Sequence, residues 1–128
     1  MKIHHLALRT RDLPGLLGFY TNVLQLVVVP KRAEVAAGGG HPTPALAASI
    51  WLQAGDTLVM LEPAEEGEPA VAPGTRDLLA FAITPDEKAP FEARLAQHGI
   101  AIEARTAFTL YFRDPDGRRV AVRHYPDN

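Results

Sequence analysis

The sequence predicts an α+β fold made of two βαβββ modules. Three observations carry this. The order strand, helix, strands occurs twice, each helix opens on a capping signal, and each copy closes with a tight polar turn feeding an apolar strand. At 128 residues the chain is one domain's worth, read as modules over about 1–63 and 77–128 with a linker over 64–76. Neither half alone buries much apolar surface, so each is expected to need the other or a second chain.

Residues 3 to 9 mix apolar and polar side chains in a short run and predict the first strand. Asp12 caps the helix that follows, with Pro14 tolerated in its first turn. Leu13, Leu17, Tyr20 and Leu24 recur at helical spacing and make one apolar face. Leu26 to Val29 are aliphatic and read as a strand stopped by Pro30. Residues 33–48 hold Gly38-Gly39-Gly40, Pro42 and Pro44, and read as a loop, either a flap over a site or a plain connector. Residues 49–53 and 57–61 are two strands joined through Ala54-Gly55-Asp56. Residues 63–76, with Glu65, Glu66 and Glu68, read as a solvated linker.

The second copy repeats the order. Residues 78–83 form a strand. Thr84-Pro85-Asp86-Glu87 is a capping box with proline in the first turn. Phe91 and Leu95 mark the buried stripe of the helix, and Gly99 ends it in a left-handed conformation. Strands are expected over 100–105, 108–113 and 119–125. The last two are joined by Asp114-Pro115-Asp116-Gly117, in which Pro115 presets φ and Gly117 accepts a positive one.

Composition narrows the function classes. A formal charge of −2 and the absence of any Lys/Arg run give no field for nucleic acid or an anionic membrane. Zero cysteines exclude disulfides, thiolate metal sites and a cysteine nucleophile. No apolar stretch is long enough to span a bilayer, so a soluble, cytoplasmic protein is the expectation. Gly38-Gly39-Gly40 lacks the strand-to-helix context and the Lys-Ser/Thr of a phosphate loop.

Three stretches carry a family likeness: Ile3-His4-His5-Leu6-Ala7-Leu8-Arg9 followed by Asp12-Leu13, Gly18 to Leu26, and Tyr111-Phe112-Arg113-Asp114-Pro115-Asp116-Gly117 with its following strand. On these the chain resembles the vicinal oxygen chelate superfamily, which includes glyoxalase I, extradiol dioxygenases, and fosfomycin and bleomycin resistance proteins. The resemblance implies βαβββ modules whose mixed sheets curl around a cavity, completed within a homodimer. It also implies a divalent metal held by four side chains from the first and last strands of each module. Here those positions align with His5, Val59, Leu78 and Ala121. Three are aliphatic, and one histidine among them cannot hold zinc, nickel, manganese or iron usefully. Glu62 lies three residues past Val59, on the opposite strand face if the strand is regular, and would join His5 as a ligand only through a bulge. His41 and His124 are other donors, at positions where the family keeps no ligands.

Each remaining candidate has two readings. His5 binds ligand or acts as a general base, or it is a satisfied wall residue. Arg9 shares its face by alternation and meets either an anionic ligand group or solvent. Trp51 stacks on a planar ligand or fills the core. Arg123 has the parity of Ala121 and is either a cationic rim or a solvent-facing edge residue. Tyr20 reads as core and His4 as surface. The expectation drawn from these is a protein without metal or other cofactor. It binds a small apolar or anionic organic molecule in a cavity lined by His5, Arg9, Trp51, Val59, Leu78, Ala121 and Arg123. The alternative is a divalent-metal lyase or dioxygenase using His5 and Glu62.

Overall fold

Two stretches of the chain fold into the same pattern because the same kinds of residue recur at the same places. A computed structural model describes residues 1–30 and 48–125. Of the loop expected over 33–48, residues 33–47, with His41, lie outside them. The chain divides into two units, Met1–Pro69 and Ala70–Asn128.

The first unit runs β1 (His5–Thr10), α1 (Leu13–Gly18, continuing as a π-helix over Phe19–Val23), β2 (Val27–Val29), β3 (Ile50–Ala54) and β4 (Thr57–Pro63). Asp12 caps α1 as expected, its carboxylate accepting from the Gly15 backbone N–H at 3.1 Å. The helix widens around Thr21, whose hydroxyl donates to the Leu17 carbonyl at 2.7 Å. The sheet order is β1-β4-β3-β2, with β1 parallel to β4 and the other pairs antiparallel. The core is Leu16, Phe19, Tyr20 and Val23 of the helix with Leu52, Val59 and Leu61 of the sheet. Burying one such side chain stabilises by roughly 1.5–3 kcal/mol.

The second unit runs β5 (Leu78–Ala82), a 3-10 turn (Pro85–Glu87) leading into α2 (Lys88–Gln97), β6 (Ala104–Arg105), β7 (Thr109–Arg113) and β8 (Arg119–Arg123). The capping box is present: the Thr84 N–H donates to the Glu87 carboxylate at 2.7 Å. Sheet order is β5-β8-β7-β6, with β5 parallel to β8. Phe91 and Leu95 of α2 are buried with Leu110, Phe112, Val120 and Val122, and the Phe91 and Phe112 rings lie 5.6 Å apart. The strand expected over 100–105 is only two residues long. The chain leaves the helix through a left-handed Gly99, and pairing with β7 begins only at Ala104.

The Asp114 turn is held by a dense set of hydrogen bonds. The buried Asp114 carboxylate accepts from the Asp116 N–H at 2.9 Å and the Arg118 N–H at 3.0 Å. The Arg118 guanidinium bonds both Asp114, at 3.1 Å, and Asp116, at 3.0 Å. Gly117 holds φ at 89°, the positive value its place in the turn requires. Burial of the Arg118 guanidinium acts to lower its pKa, and the two aspartates outweigh it, so the pKa is raised.

Candidate functional site

Each sheet has one face covered by its helix and one that is not, and strand register decides which side chains share the uncovered face. In the first unit the ladder runs without a break from His5 opposite Leu58 to Thr10 opposite Pro63. His5, Ala7 and Arg9 therefore share a face with Leu58, Met60 and Glu62. Across β3 that face adds Trp51 and Gln53, the partners of Met60 and Leu58. Val59 pairs with Leu6 and Leu52, has the opposite parity and is 1% exposed within the helix-side core. The structure thus sets His5 and Val59 on opposite faces of the sheet. Glu62 reaches the His5 face with no bulge.

Two local constellations occupy this face. At one end the His5 and Trp51 rings, from strands on either side of β4, meet edge-on with centroids 4.9 Å apart. His4 is exposed, and its Nδ1 lies 2.9 Å from the His5 Nδ1. At the other end Arg9 is held by three carboxylates: Glu62 at 2.8 Å, Glu68 at 2.6 Å and Glu65 at 3.8 Å. Arg11 adds a bond to the Glu68 carbonyl. The hydrogen bond that Arg9 donates to Glu68, then that to Glu62, raises the Arg9 pKa above its ordinary value. Glu65 and Glu68 are thus tied to the sheet, where the composition of residues 63–76 reads as solvated linker. Arg9 has its anions supplied by its own chain.

In the second unit Leu78, Ala80 and Ala82 stand opposite Arg119, Ala121 and Arg123. Thr109, Tyr111 and Arg113 join the same face from β7. Leu78, Ala121 and Arg123 are therefore brought together on one face, as their parity predicts. Arg113 is paired with Glu103 through both nitrogens of its fork. Arg119 instead stacks over Tyr111 at 4.4 Å, and Arg123 over Tyr125 at 4.4 Å. The Nε of Arg123 and the Nδ1 of His124 are buried with no hydrogen-bond partner among the described residues. The His124 ring packs edge-on against Phe108, with centroids 5.5 Å apart.

Sequence reasoning passed over Met60, Tyr111 and Arg119. Alternation from His5 on a correctly registered β4 finds Met60, and counting back two residues from Ala121 finds Arg119. Tyr111 follows only once the β7–β8 register is known. Among the described residues no group of three His, Asp or Glu side chains comes together as a metal-holding cluster.

Two units of βαβββ with one shared strand order define a recognisable class of α+β protein. The family model of the Glyoxalase/Bleomycin resistance protein/Dioxygenase superfamily matches residues 2–122, and the chain belongs to this superfamily. Its structure is similar to that of the genomically encoded fosfomycin resistance protein FosX from Listeria monocytogenes, with a TM-score of 0.75, 13% identity, and coverage of 98% of this chain and 91% of that one. It is also similar to a glyoxalase/dioxygenase from Nostoc punctiforme, with a TM-score of 0.75, 24% identity, and coverage of 98% and 91%. A third likeness is to FosX from Mesorhizobium loti, with a TM-score of 0.73, 18% identity, and coverage of 95% and 90%. A variant of the Listeria protein has been solved with manganese(II) and 1S,2S-dihydroxypropylphosphonic acid. At these identities the likeness shows the fold. No curated protein sequence matches this one.

Proposed function

We propose that this chain is a metal-independent member of its superfamily that binds a small, largely apolar or anionic organic molecule on the helix-free faces of its sheets, as a cytoplasmic homodimer. The observation that carries the reading is the company His5 keeps. Its β4 neighbours are Leu58 and Met60, and its ring partner is Trp51. These three are groups that hold apolar surface, and none is a hard or borderline donor for a divalent cation; the exposed His4 imidazole beside His5 is such a donor, and among the described residues no third joins the pair as a metal-holding cluster. In the second unit, Leu78 and Ala121 likewise present no donor. His5 and Trp51 are the ligand contacts of the first unit; Leu78 and Arg123 are those of the second, flanking the fully buried Ala121.

The alternative, a divalent-metal lyase or dioxygenase using His5 and Glu62, has one observation in its favour: both side chains stand on one sheet face. Distance and pairing weigh against it. His5 sits opposite Leu58, and Glu62 is four residues further along, about 13 Å of strand. Ligand atoms on one ion lie within about 2 Å of it. The Glu62 carboxylate is also held by Arg9 at 2.8 Å and would have to give up that bond.

Trp51 is the only tryptophan and touches His5, so its fluorescence reports on this face. Titration with a panel of small organic acids and neutral aromatics is expected to quench Trp51 with the same affinity in chelator as in zinc, nickel, manganese or ferrous iron. Stoichiometric metal uptake that disappears in His5→Ala would overturn the reading.

A further inference from the structure

The helix-free face of the second unit carries an arrangement that its fold does not require. β5 is an edge strand, and along one side it presents Leu78, Ala80 and Ala82, all exposed; Leu78 is 44% so. Register places Arg119 directly opposite the first of these and Arg123 directly opposite the last. Between the two cations stands Ala121, opposite Ala80, with no side chain beyond Cβ to obstruct the strip. An exposed apolar stripe is thus bracketed by two guanidinium groups, about 13 Å apart at their Cα atoms.

Of the arginines on this face, Arg113 takes the one nearby carboxylate, Glu103, while Arg119 and Arg123 have no carboxylate partner among the described residues. Both are instead stacked on tyrosine rings. Stacking engages the faces of the planar guanidinium and leaves its in-plane N–H edges to donate to an anion. Arg123 goes further, because its Nε is buried without a hydrogen-bond partner among the described residues. A buried donor left unmade is costly, and a bound acceptor removes that cost.

We propose that this face binds an amphipathic organic anion. Its carboxylate lies on Arg123, its apolar body along Leu78, Ala80 and Ala82, and Arg119 takes a second acceptor at the far end. The inference rests on the reading of the chain as a metal-free binder of small organic molecules and names the chemical class that binder takes. The hydrophobic strip supplies area and the arginines supply selection for charge. A ligand with a charge at each end uses both arginines; a ligand with one uses Arg123 alone.

Calorimetric titration in chelator with octanoate, octanedioate and octanol tests this. Octanoate is expected to bind at least tenfold more tightly than octanol, and octanedioate more tightly still. Arg123→Ala should weaken octanoate by roughly ten- to a hundredfold, the usual range for a charge-assisted hydrogen bond. Arg119→Ala should remove the advantage of octanedioate over octanoate. Arg123→Lys, which keeps the charge and loses the fork, should recover part of the loss and guards against misfolding of the alanine variant. Equal binding of octanol and octanoate would overturn the anion inference while leaving metal-free binding intact. Octanoate affinity that is indifferent to Arg123 would do the same. Binding of all three only after a divalent metal is added would overturn the metal-free reading itself.

Discussion

The two units are built to one strand order and carry opposite charge arrangements on their helix-free faces. In the first, three carboxylates gather around one arginine, Arg9. In the second, Arg113, Arg119 and Arg123 share a face on which, among the described residues, the only ion pair is that of Arg113 with Glu103. The helix-side faces do not differ in this way: Leu52, Val59 and Leu61 in one, Leu110, Phe112, Val120 and Val122 in the other, all buried and apolar. Alternation along each strand separates the two jobs. Residues of one parity bury the helix and fix the fold, and residues of the other parity are free to change chemistry without disturbing it.

The turns that close the units differ as sharply, and the largest expected effect lies there. Asp114 has a fully buried carboxylate that bonds two backbone N–H groups and Arg118. Asp56, in the corresponding turn of the first unit, is exposed. Asp114→Ala leaves those two N–H donors unmatched and the Arg118 guanidinium with Asp116 alone, and should lower stability by about 3 kcal/mol in urea unfolding. Asp56→Ala should stay within about 0.5 kcal/mol of the parent, as surface changes generally do. Equal costs at the two turns would mean that the bonds around Asp114 contribute little, and the contrast between the units would fail.

A smaller effect separates the two helix ends. Each helix is followed by a residue at positive φ: Gln25 at 57° after the first, Gly99 at 68° after the second. The α2 end is a Schellman arrangement, with the Ile100 N–H bonded to the Leu95 carbonyl at 2.9 Å and the Gly99 N–H to that of Ala96 at 3.1 Å. The first helix closes one residue wider, the Leu26 N–H reaching the Tyr20 carbonyl at 3.0 Å, because it ends in a π-turn. An exposed glutamine in this conformation carries a steric cost that glycine does not. Gln25→Gly should therefore raise stability by about 0.5–1 kcal/mol, and Gly99→Ala should lower it by about 1 kcal/mol. If both changes destabilise, the strain at Gln25 is relieved elsewhere in the native state.

How far the sequence carried each of these points follows from the physics behind it. The capping residues Asp12 and Thr84, the Asp114 turn and the buried stripe of Phe91 and Leu95 are local, set within a few residues, and were legible. The family likeness of the first strand, first helix and last turn was equally legible, and the match over residues 2–122 agrees with it. Side-chain facing in β4 was not legible. It depends on pairing with β1 some fifty residues away, and a shift of one residue exchanges the two faces. The alignment placed Val59 beside His5, and the register gives that place to Leu58 and Met60. The same limit hid the role of Glu68: a glutamate in a proline-rich stretch carries no local sign that it will bond an arginine on β1.

The smallest effect concerns pH, and it again separates the units. In the second, hydrogen bonds from Arg113 hold the Glu103 carboxyl below its ordinary value of 4.5; desolvation opposes this, and the charges of Arg113, Arg119 and Arg76 reinforce it. A carboxyl whose folded-state pKa is depressed contributes stability that is present above the unfolded value and is lost as the pH falls through the folded one. In the first unit the shift lies on Arg9, whose already strongly basic guanidinium is raised further by Glu68 and Glu62. That guanidinium stays charged from mildly acid to mildly alkaline solution, so its own titration gives no pH dependence there. Urea midpoints of the parent and of Glu103→Gln should accordingly differ by a constant amount near neutrality, and the difference should close as the pH drops below the ordinary carboxylate range. Arg9→Gln should lower the midpoint by an amount that does not change between neutral and mildly alkaline solution. A Glu103→Gln difference that persists in acid would mean that the Glu103 side chain contributes through packing, and that the electrostatic contrast between the units does not reach their stability.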